Sequence, residues 1–119
     1  MWRNAMGWIM RLAVISVGNS SITTEQVARC FPKGVVEIVL GGEGETETCV
    51  RKYAMENHIK LTEFFLEAEF GGYAPVVRSI KMMDACDLMF VFWDGKCLQA
   101  KFLAERCKGK RIPCRMFKL

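Results

Sequence analysis

The chain has 119 residues, 51% apolar and 25% charged, a balance that excludes a disordered tail, a collagen and a coiled coil. That length suits one domain with a real core and argues against a multidomain enzyme. Seventeen Lys and Arg against thirteen Asp and Glu give a net charge of +4, too mild by itself to argue for nucleic acid.

Arg3 and the apolar residues behind it imitate a signal peptide, but Asn4 and Arg11 interrupt the run and no small-residue cleavage site follows. Residues 1–10 therefore read as an N-terminal extension, with Met6 and Met10 as alternative starts, ahead of a single domain over 11–119. LAVISV (12–17) reads as a buried strand, and Asn19, Ser20 and Ser21 as a loop. Thr23 or Thr24 caps a helix that turns Val27, Ala28 and Phe31 to one face. Pro32-Lys33-Gly34 breaks it. VVEIVL (35–40) is a second strand, whose β-branched residues favour a buried parallel position. Gly41-Gly42 follows, then a helix to about Asn57 with Val50, Tyr53, Ala54 and Asn57 on one face. LTEFFL (61–66) is the third strand. After a loop at Gly71-Gly72, Pro75 suits the first turn of a helix striped by Val76, Ile80 and Met83. LMFVFW (88–93) is the fourth strand, and Asp94-Gly95 turns the chain into a helix from about Cys97 to Lys108. That helix buries Ala100, Leu103, Ala104 and Cys107, and Gly109 ends it. RIPCRMF (111–117) is the last strand, placed at an edge by Pro113.

Five strands alternating with four helices predict an α/β fold: a three-layer, Rossmann-like open sheet, mainly parallel, with helices on both faces. Such sheets bind ligands beyond the carboxyl ends of their strands, which singles out loops 18–23, 41–47, 67–75 and 94–97. Glycine there lets backbone amides come close to a ligand, and the helix N-terminus behind suits an anion.

Residues 41–70 hold seven acids against three bases, and residues 101–119 seven bases against Glu105 alone. The basic end reads first as a solvated face. The longest apolar run, Leu88–Trp93, is far short of the roughly 18–20 residues a bilayer needs. Cys30, Cys49, Cys86, Cys97, Cys107 and Cys114 lie apart with no CxxC pair, and His58 is the one histidine, so no metal site is expected. The cysteines read as small hydrophobes of a cytoplasmic protein. Cys97, beside Lys96 at a helix start, is the candidate for reactivity. His58 is expected at the surface, and Met82-Met83 and Phe64-Phe65 in the core.

GGEGETE (41–47) is the most informative segment, because it follows a strand directly and opens a helix. Two glycines make a tight turn and Gly44 keeps the next backbone open. Taken alone it is equally a turn whose Glu43, Glu45 and Glu47 complement the helix dipole, and three carboxylates repel a bare phosphate. Further on, Arg78 falls in the first turns of a helix, Asp87 precedes the fourth strand, and FWDGK (92–96) ends it. This ordered set, carried by VLGGEGETE, TEFFLEAEFGGYAPVVRSIKMMDACDLMFVFWDGKC and KGKRIPCRMF, resembles the SLOG superfamily. Within it the likeness is to the small YspA-like, YpsA-related proteins, over about residues 11–117. The resemblance implies a Rossmann-like domain that binds nucleotides or nucleotide-derived small molecules. It assigns Gly41, Gly42 and Gly44 to phosphate or ribose and Glu47 to the acidic position. Arg78, Asp94, Gly95 and Lys96 close the pocket from the other side, and Gly18 joins them from the end of the first strand.

The chain departs from that pattern in three places. The family's Arg-Asn is Arg78-Ser79, and its Ser-x-Gly-Thr after the lysine is Cys97-Leu98-Gln99-Ala100. Against the GGxGTxxE of relatives that cleave a base from a ribose phosphate, Glu45 stands for the Thr and Thr48 for the Glu. Glu47 is thus one residue out of register. The leading expectation is a binding domain without proven catalysis, in which Arg78 and Lys96 supply positive charge, Glu47 accepts from ribose hydroxyls and Trp93 stacks on a base. A second is an N-glycosidic hydrolase of a nucleoside monophosphate, with Glu47 or Glu45 as its carboxylate, though one histidine leaves acid–base groups scarce. A third is a retained scaffold acting as an interaction module through Lys108, Lys110, Arg111, Arg115 and Lys118. Only Phe117 interleaves with those bases, so nucleic acid is poorly supported as a partner. No cofactor and no membrane partner are expected, and Trp2 and Trp8 leave room for a homo-oligomer.

Overall fold

The computed structural model describes residues 2–4, 7–18, 22–42 and 44–119. Asn19, Ser20 and Ser21, expected as a loop, and Glu43 of the glycine turn lie outside the described residues. So do Met1, Met6 and the side chains of Trp2 and Trp8.

Strand β2 (Gly7–Val17) is apolar on both faces: Leu12 and Val14 are buried on one side, Ala13, Ile15 and Val17 on the other. A strand of this kind must be covered twice, which places it at the centre of a layered sheet. Its parallel neighbours are β3 (Val35–Leu40) and β5 (Leu88–Trp93), while β4 (Lys60–Glu63) and β6 (Cys114–Lys118) are the outer strands. The order is β4-β3-β2-β5-β6, all parallel. A short β1 (Trp2–Asn4) pairs antiparallel with the start of β2.

Helices α1 (Thr24–Cys30) and α2 (Glu45–Glu56) cover one face, packing Val27, Phe31, Val50 and Ala54 on Leu12, Val14, Ile38, Leu40, Phe90 and Phe92. Helices α3 (Ala74–Asp84) and α4 (Leu98–Gly109) cover the other, with Met82, Met83, Ala100, Leu103 and Cys107 against Ala13, Ile15, Val39, Met89 and Val91. The expected three-layer, Rossmann-like α/β arrangement is therefore present. Strand order reverses between β2 and β5, so their carboxyl ends open at the switch point where such sheets take ligands. The amino ends are pinned by Asp87, which accepts from the Arg11 backbone N–H at 2.8 Å and pairs with its guanidinium at 3.3 Å.

Several boundaries differ from the sequence expectation. Strand β2 begins at Gly7 rather than Leu12, because β1 supplies a partner for its first residues. The third strand stops at Glu63, since beyond Leu40 there is no β3 residue left to pair with. Phe64 still donates its N–H to the Leu40 carbonyl at 2.9 Å and packs half-buried against the core, whereas Phe65 is exposed, correcting its core assignment. The expected loop before α3 is a 3-10 segment, Ala68–Tyr73. The last strand begins at Cys114, after Pro113, whose carbonyl accepts from Met89. Ala28 and Asn57 are exposed, one turned outward from α1 and the other capping α2. Gly109 is the last residue of α4 rather than its stop. Thr23 does cap α1, in a reciprocal capping box with Gln26.

Candidate ligand-binding site

The glycine turn after β3 is held from below by Glu47. This residue sits in the first turn of α2 and is only 1% exposed. Its carboxylate faces inward and accepts from the Ser16 backbone N–H at 3.0 Å and the Ser16 hydroxyl at 2.6 and 2.8 Å. The turn lies so close that a Cβ on Gly42 would stand 3.2 Å from the Glu47 carboxyl carbon, and one on Gly44 2.7 Å from Oε1. Gly42 and Gly44 are therefore required by an internal carboxylate, and Glu47 is the support of the loop rather than part of its open surface.

Three more side chains fix the same turn. Arg51, one turn beyond Glu47, donates to the Gly42 carbonyl at 2.8 Å and to Glu63 at the end of β4, also at 2.8 Å. Thr48 donates its hydroxyl to the Gly44 carbonyl at 3.2 Å. On the far side, Arg78 of α3 crosses Gly41, where a Cβ would meet its Cδ at 3.1 Å and the Met82 sulfur at 2.7 Å. Among the described residues, Arg78 Nε is the buried side-chain nitrogen or oxygen without a hydrogen-bond partner. Ser79 beside it turns inward and donates to the Pro75 carbonyl. The N-cap of α2 is Gly44, which offers no side-chain acceptor to the first amides of the helix.

The second loop is built differently. Asp94 Oδ1 accepts from the backbone N–H groups of Lys96 and Cys97 at 2.9 and 3.0 Å, so a carboxylate already occupies the start of α4. Gly18, with φ +72°, passes within 2.6 Å of Asp94 Oδ2 measured from the position of a Cβ. Any side chain there would be strained and would strike the acid that caps α4. Gly95 accommodates the stem of Lys118, which strand β6 carries to this edge. Lys118 thus lies over the loop that carries Lys96, a placement hidden in the sequence because it sat inside a basic run. Lys110 leaves that run too, pairing with Asp84 at 2.6 Å. Trp93 is half-buried against the α3/α4 core, and Cys97 is half-buried at the α4 N-cap.

The nine residues expected at the site thus gather along one edge in two clusters. Gly41, Gly42, Gly44, Glu47 and Arg78 form the first, and Gly18, Asp94, Gly95 and Lys96 the second. Arg51, Ser16 and Lys118 are the additions. A cleft of about 390 Å³ adjoins the first cluster, lined by Ile22, Thr23, Glu45, Thr48 and Cys49 between the starts of α1 and α2. Among the described residues no group of three His, Cys, Asp or Glu side chains is placed to hold a metal ion, and no helix is long and apolar enough to cross a membrane.

The 3-10 segment borders this edge and exposes Phe65, Leu66 and Tyr73 in and beside it. Lys81 of α3 anchors it, pairing with Glu67 and lying 5.8 Å from the Phe70 ring centroid. The hydrogen bond from Lys81 holds the Glu67 carboxyl below its ordinary value of 4.5. The tie is therefore complete above about pH 4.5 and is released as pH falls through the lower folded value. In an NMR titration Glu67 is expected to have a midpoint below those of other exposed glutamates, and Lys81→Met to return it to their range. An unchanged midpoint in that variant would refute the tie.

Neither protein-family models, nor curated proteins, nor solved structures give a match to this chain.

Proposed function

We propose that the chain is a binding domain of the SLOG type for a nucleotide or nucleotide-derived small molecule, seated across the Gly41–Gly44 turn. The observation that carries this reading is the buried, unpartnered Nε of Arg78 against Gly41. A guanidinium donor left without an acceptor is costly, and an anionic oxygen is the partner its geometry suits. The positive end of the α2 dipole, which carries no side-chain cap at Gly44, adds to that attraction, whereas α4 is already capped by Asp94. Glu45, Thr48 and Thr23 in the adjoining cleft offer a carboxylate and hydroxyls suited to sugar hydroxyls, with Glu45 keeping a second phosphate away. The reading is of binding and not of turnover, since the carboxylate of Glu47 is committed to Ser16.

Thermal-shift measurements with AMP, ADP-ribose, NAD and ribose 5-phosphate, beside adenosine, test this. A ligand at about 100 times its Kd adds roughly 2.7 kcal/mol, several degrees for a domain of this size. Phosphorylated ligands are expected to stabilise and adenosine to do far less. Arg78→Ala is expected to weaken the effect at least about tenfold in Kd, in keeping with a lost charged hydrogen bond of about 1.5–3 kcal/mol. No shift with any of them, in a protein that melts cooperatively, would overturn the proposal.

A further inference from the structure

The outer surface of the α3/α4 layer is apolar where a helix lying on a sheet ordinarily turns polar residues to water. On α3, Ser79, Met82 and Met83 are buried toward the sheet, while Tyr73, Val76, Val77 and Ile80 fall at i, i+3, i+4 and i+7 on the opposite side. Tyr73 is 77% exposed and the other three are half-buried. Helix α4 repeats the arrangement. Ala100, Leu103 and Cys107 face inward, and Leu98, Phe102, Glu105 and Gly109 line the outward side, with Leu98 75% exposed. A groove of about 390 Å³ opens on that side, lined by Phe102, Glu105, Arg106, Gly109 and Lys110. The two helices are neighbours, joined by the Asp84–Lys110 pair. The 3-10 segment lies on the other flank of α3, where Lys81 meets Glu67 and the Phe70 ring. Phe65 and Leu66, both exposed, extend the apolar belt there, so that it crosses the whole face.

We propose that this face is the interface of a two-fold homodimer, each copy covering the apolar belt of the other. A contiguous apolar surface of this kind marks an association site, and its charges say which partner fits. The belt is acidic at the end of the 3-10 segment, where residues 63–73 hold Glu63, Glu67 and Glu69 and no base. It is basic at the α4 end, where residues 96–110 hold five Lys and Arg against Glu105. Lys101 and Lys108 flank the outward stripe of α4 on one side and Arg106 on the other, over the Phe102 ring at 5.1 Å. The face therefore carries its own electrostatic complement, which is what a second copy of the chain supplies.

The topology fixes the symmetry axis. Across the face the order is 3-10 segment, α3, α4, and both the 3-10 segment and the start of α4 lie at the carboxyl edge, one following β4 and the other β5. A two-fold axis parallel to the strands and over α3 keeps these ends level. It lays the 3-10 segment of each copy on α4 of the other and sets α3 against α3. Acid then meets base twice, the exposed Phe65 and Tyr73 meet Leu98 and Phe102 twice, and the contact closes at two copies. An axis lying across the strands would instead set acid on acid and base on base.

Sedimentation equilibrium of the full chain without ligand, over about 1–200 μM, tests this. The limiting mass is expected to be twice 13.6 kDa. Tyr73→Asp and Leu98→Asp put a charge into the belt at its two ends, and each is expected to raise the dimer Kd at least about thirtyfold, the size of a hot-spot loss. Both side chains are exposed, so each variant is expected to melt cooperatively, and if one does not, the other carries the test. Glu69→Lys is expected to weaken the dimer, and adding Lys101→Glu to the same chain to recover most of that loss, because the two-fold axis brings each reversed end onto the other. A mass of 13.6 kDa throughout, a dimer that both aspartate variants leave intact, an assembly that grows past two copies, or a charge swap no better than the single reversal would each overturn the proposal.

Discussion

Glu47→Ala is expected to lower the free energy of unfolding by about 3 kcal/mol, one of the largest effects available outside the apolar core. Glu47 is a charge in the interior, and its position is tolerable for two reasons. Ser16 supplies both of its polar groups to the carboxylate, and the carboxylate lies at the N-terminal end of the α2 dipole. Alanine leaves the Ser16 N–H and hydroxyl without an acceptor, each a loss of about 1–3 kcal/mol when buried, and opens a void beneath Gly42 and Gly44. Glutamine keeps one carbonyl oxygen and offers an amide where the second oxygen stood, so about half of the loss is expected. Ser16→Ala removes the hydroxyl but keeps the backbone donor, for about 1 kcal/mol. Urea denaturation with a constant m-value ranks the three. If Glu47→Ala lost less than about 0.5 kcal/mol, the clamp would be incidental. If Glu47→Gln lost as much as alanine, the charge rather than the acceptor geometry would be the stabilising feature. Loss of the clamp also frees the glycine turn against which Arg78 lies, so ligand response and stability are expected to fall together in Glu47→Ala.

That clamp marks where sequence reasoning reaches its limit. The alternation of VVEIVL, LMFVFW and LAVISV with amphipathic stretches made the layered sheet legible, since a strand apolar on both faces has few other places to go. Proximity along the carboxyl edge was legible too, because parallel topology forces every loop after a strand to that side. What sequence could not tell was the direction in which Glu47 points. An acid in the first turn of a helix satisfies the dipole whether it faces solvent or a backbone N–H on a neighbouring strand, and Ser16 stands 31 positions away. Glycines have the same ambiguity. Gly42 and Gly44 serve close approach, but to an internal carboxylate, and Gly41 to an arginine stem. Lys118 was hidden for another reason: strand pairing carries it to Gly95, and no local pattern encodes pairing of β6 with β5. Phe65 failed because periodicity runs on past the point where its strand loses a partner.

Phe90→Ala is expected to be the most destabilising single change, at about 3–5 kcal/mol. Phe90 lies at the centre of a continuous aromatic cluster that joins four elements. Its ring centroid is 4.9 Å from Phe117 of β6, 5.8 Å from Phe31 at the end of α1 and 6.4 Å from Phe92 of β5, each edge-to-face. Phe31 in turn meets Tyr53 of α2 at 5.1 Å. Such pairs add about 0.5–1.5 kcal/mol beyond burial, so alanine loses both the apolar volume and the ring geometry. The other face has a contrasting composition, since Met82, Met83 and Met89 fill it with flexible side chains. Met89→Leu is therefore expected to cost less than about 1.5 kcal/mol, because unbranched neighbours adjust to a swap of similar volume. The two variants measured together by urea denaturation separate rigid from adaptable packing on the two sides of one sheet. A loss below about 1.5 kcal/mol for Phe90→Ala would mean that Phe31 and Phe117 close over the void, and that α1 is free to shift toward β6. In that case the groove beside α1, lined by Ile22, Arg29, Phe92 and Phe117, would be narrowed in the variant. A loss in the expected range would instead show that the ring fixes α1 against β5, and with it the Thr23 side of the cleft beside the glycine turn.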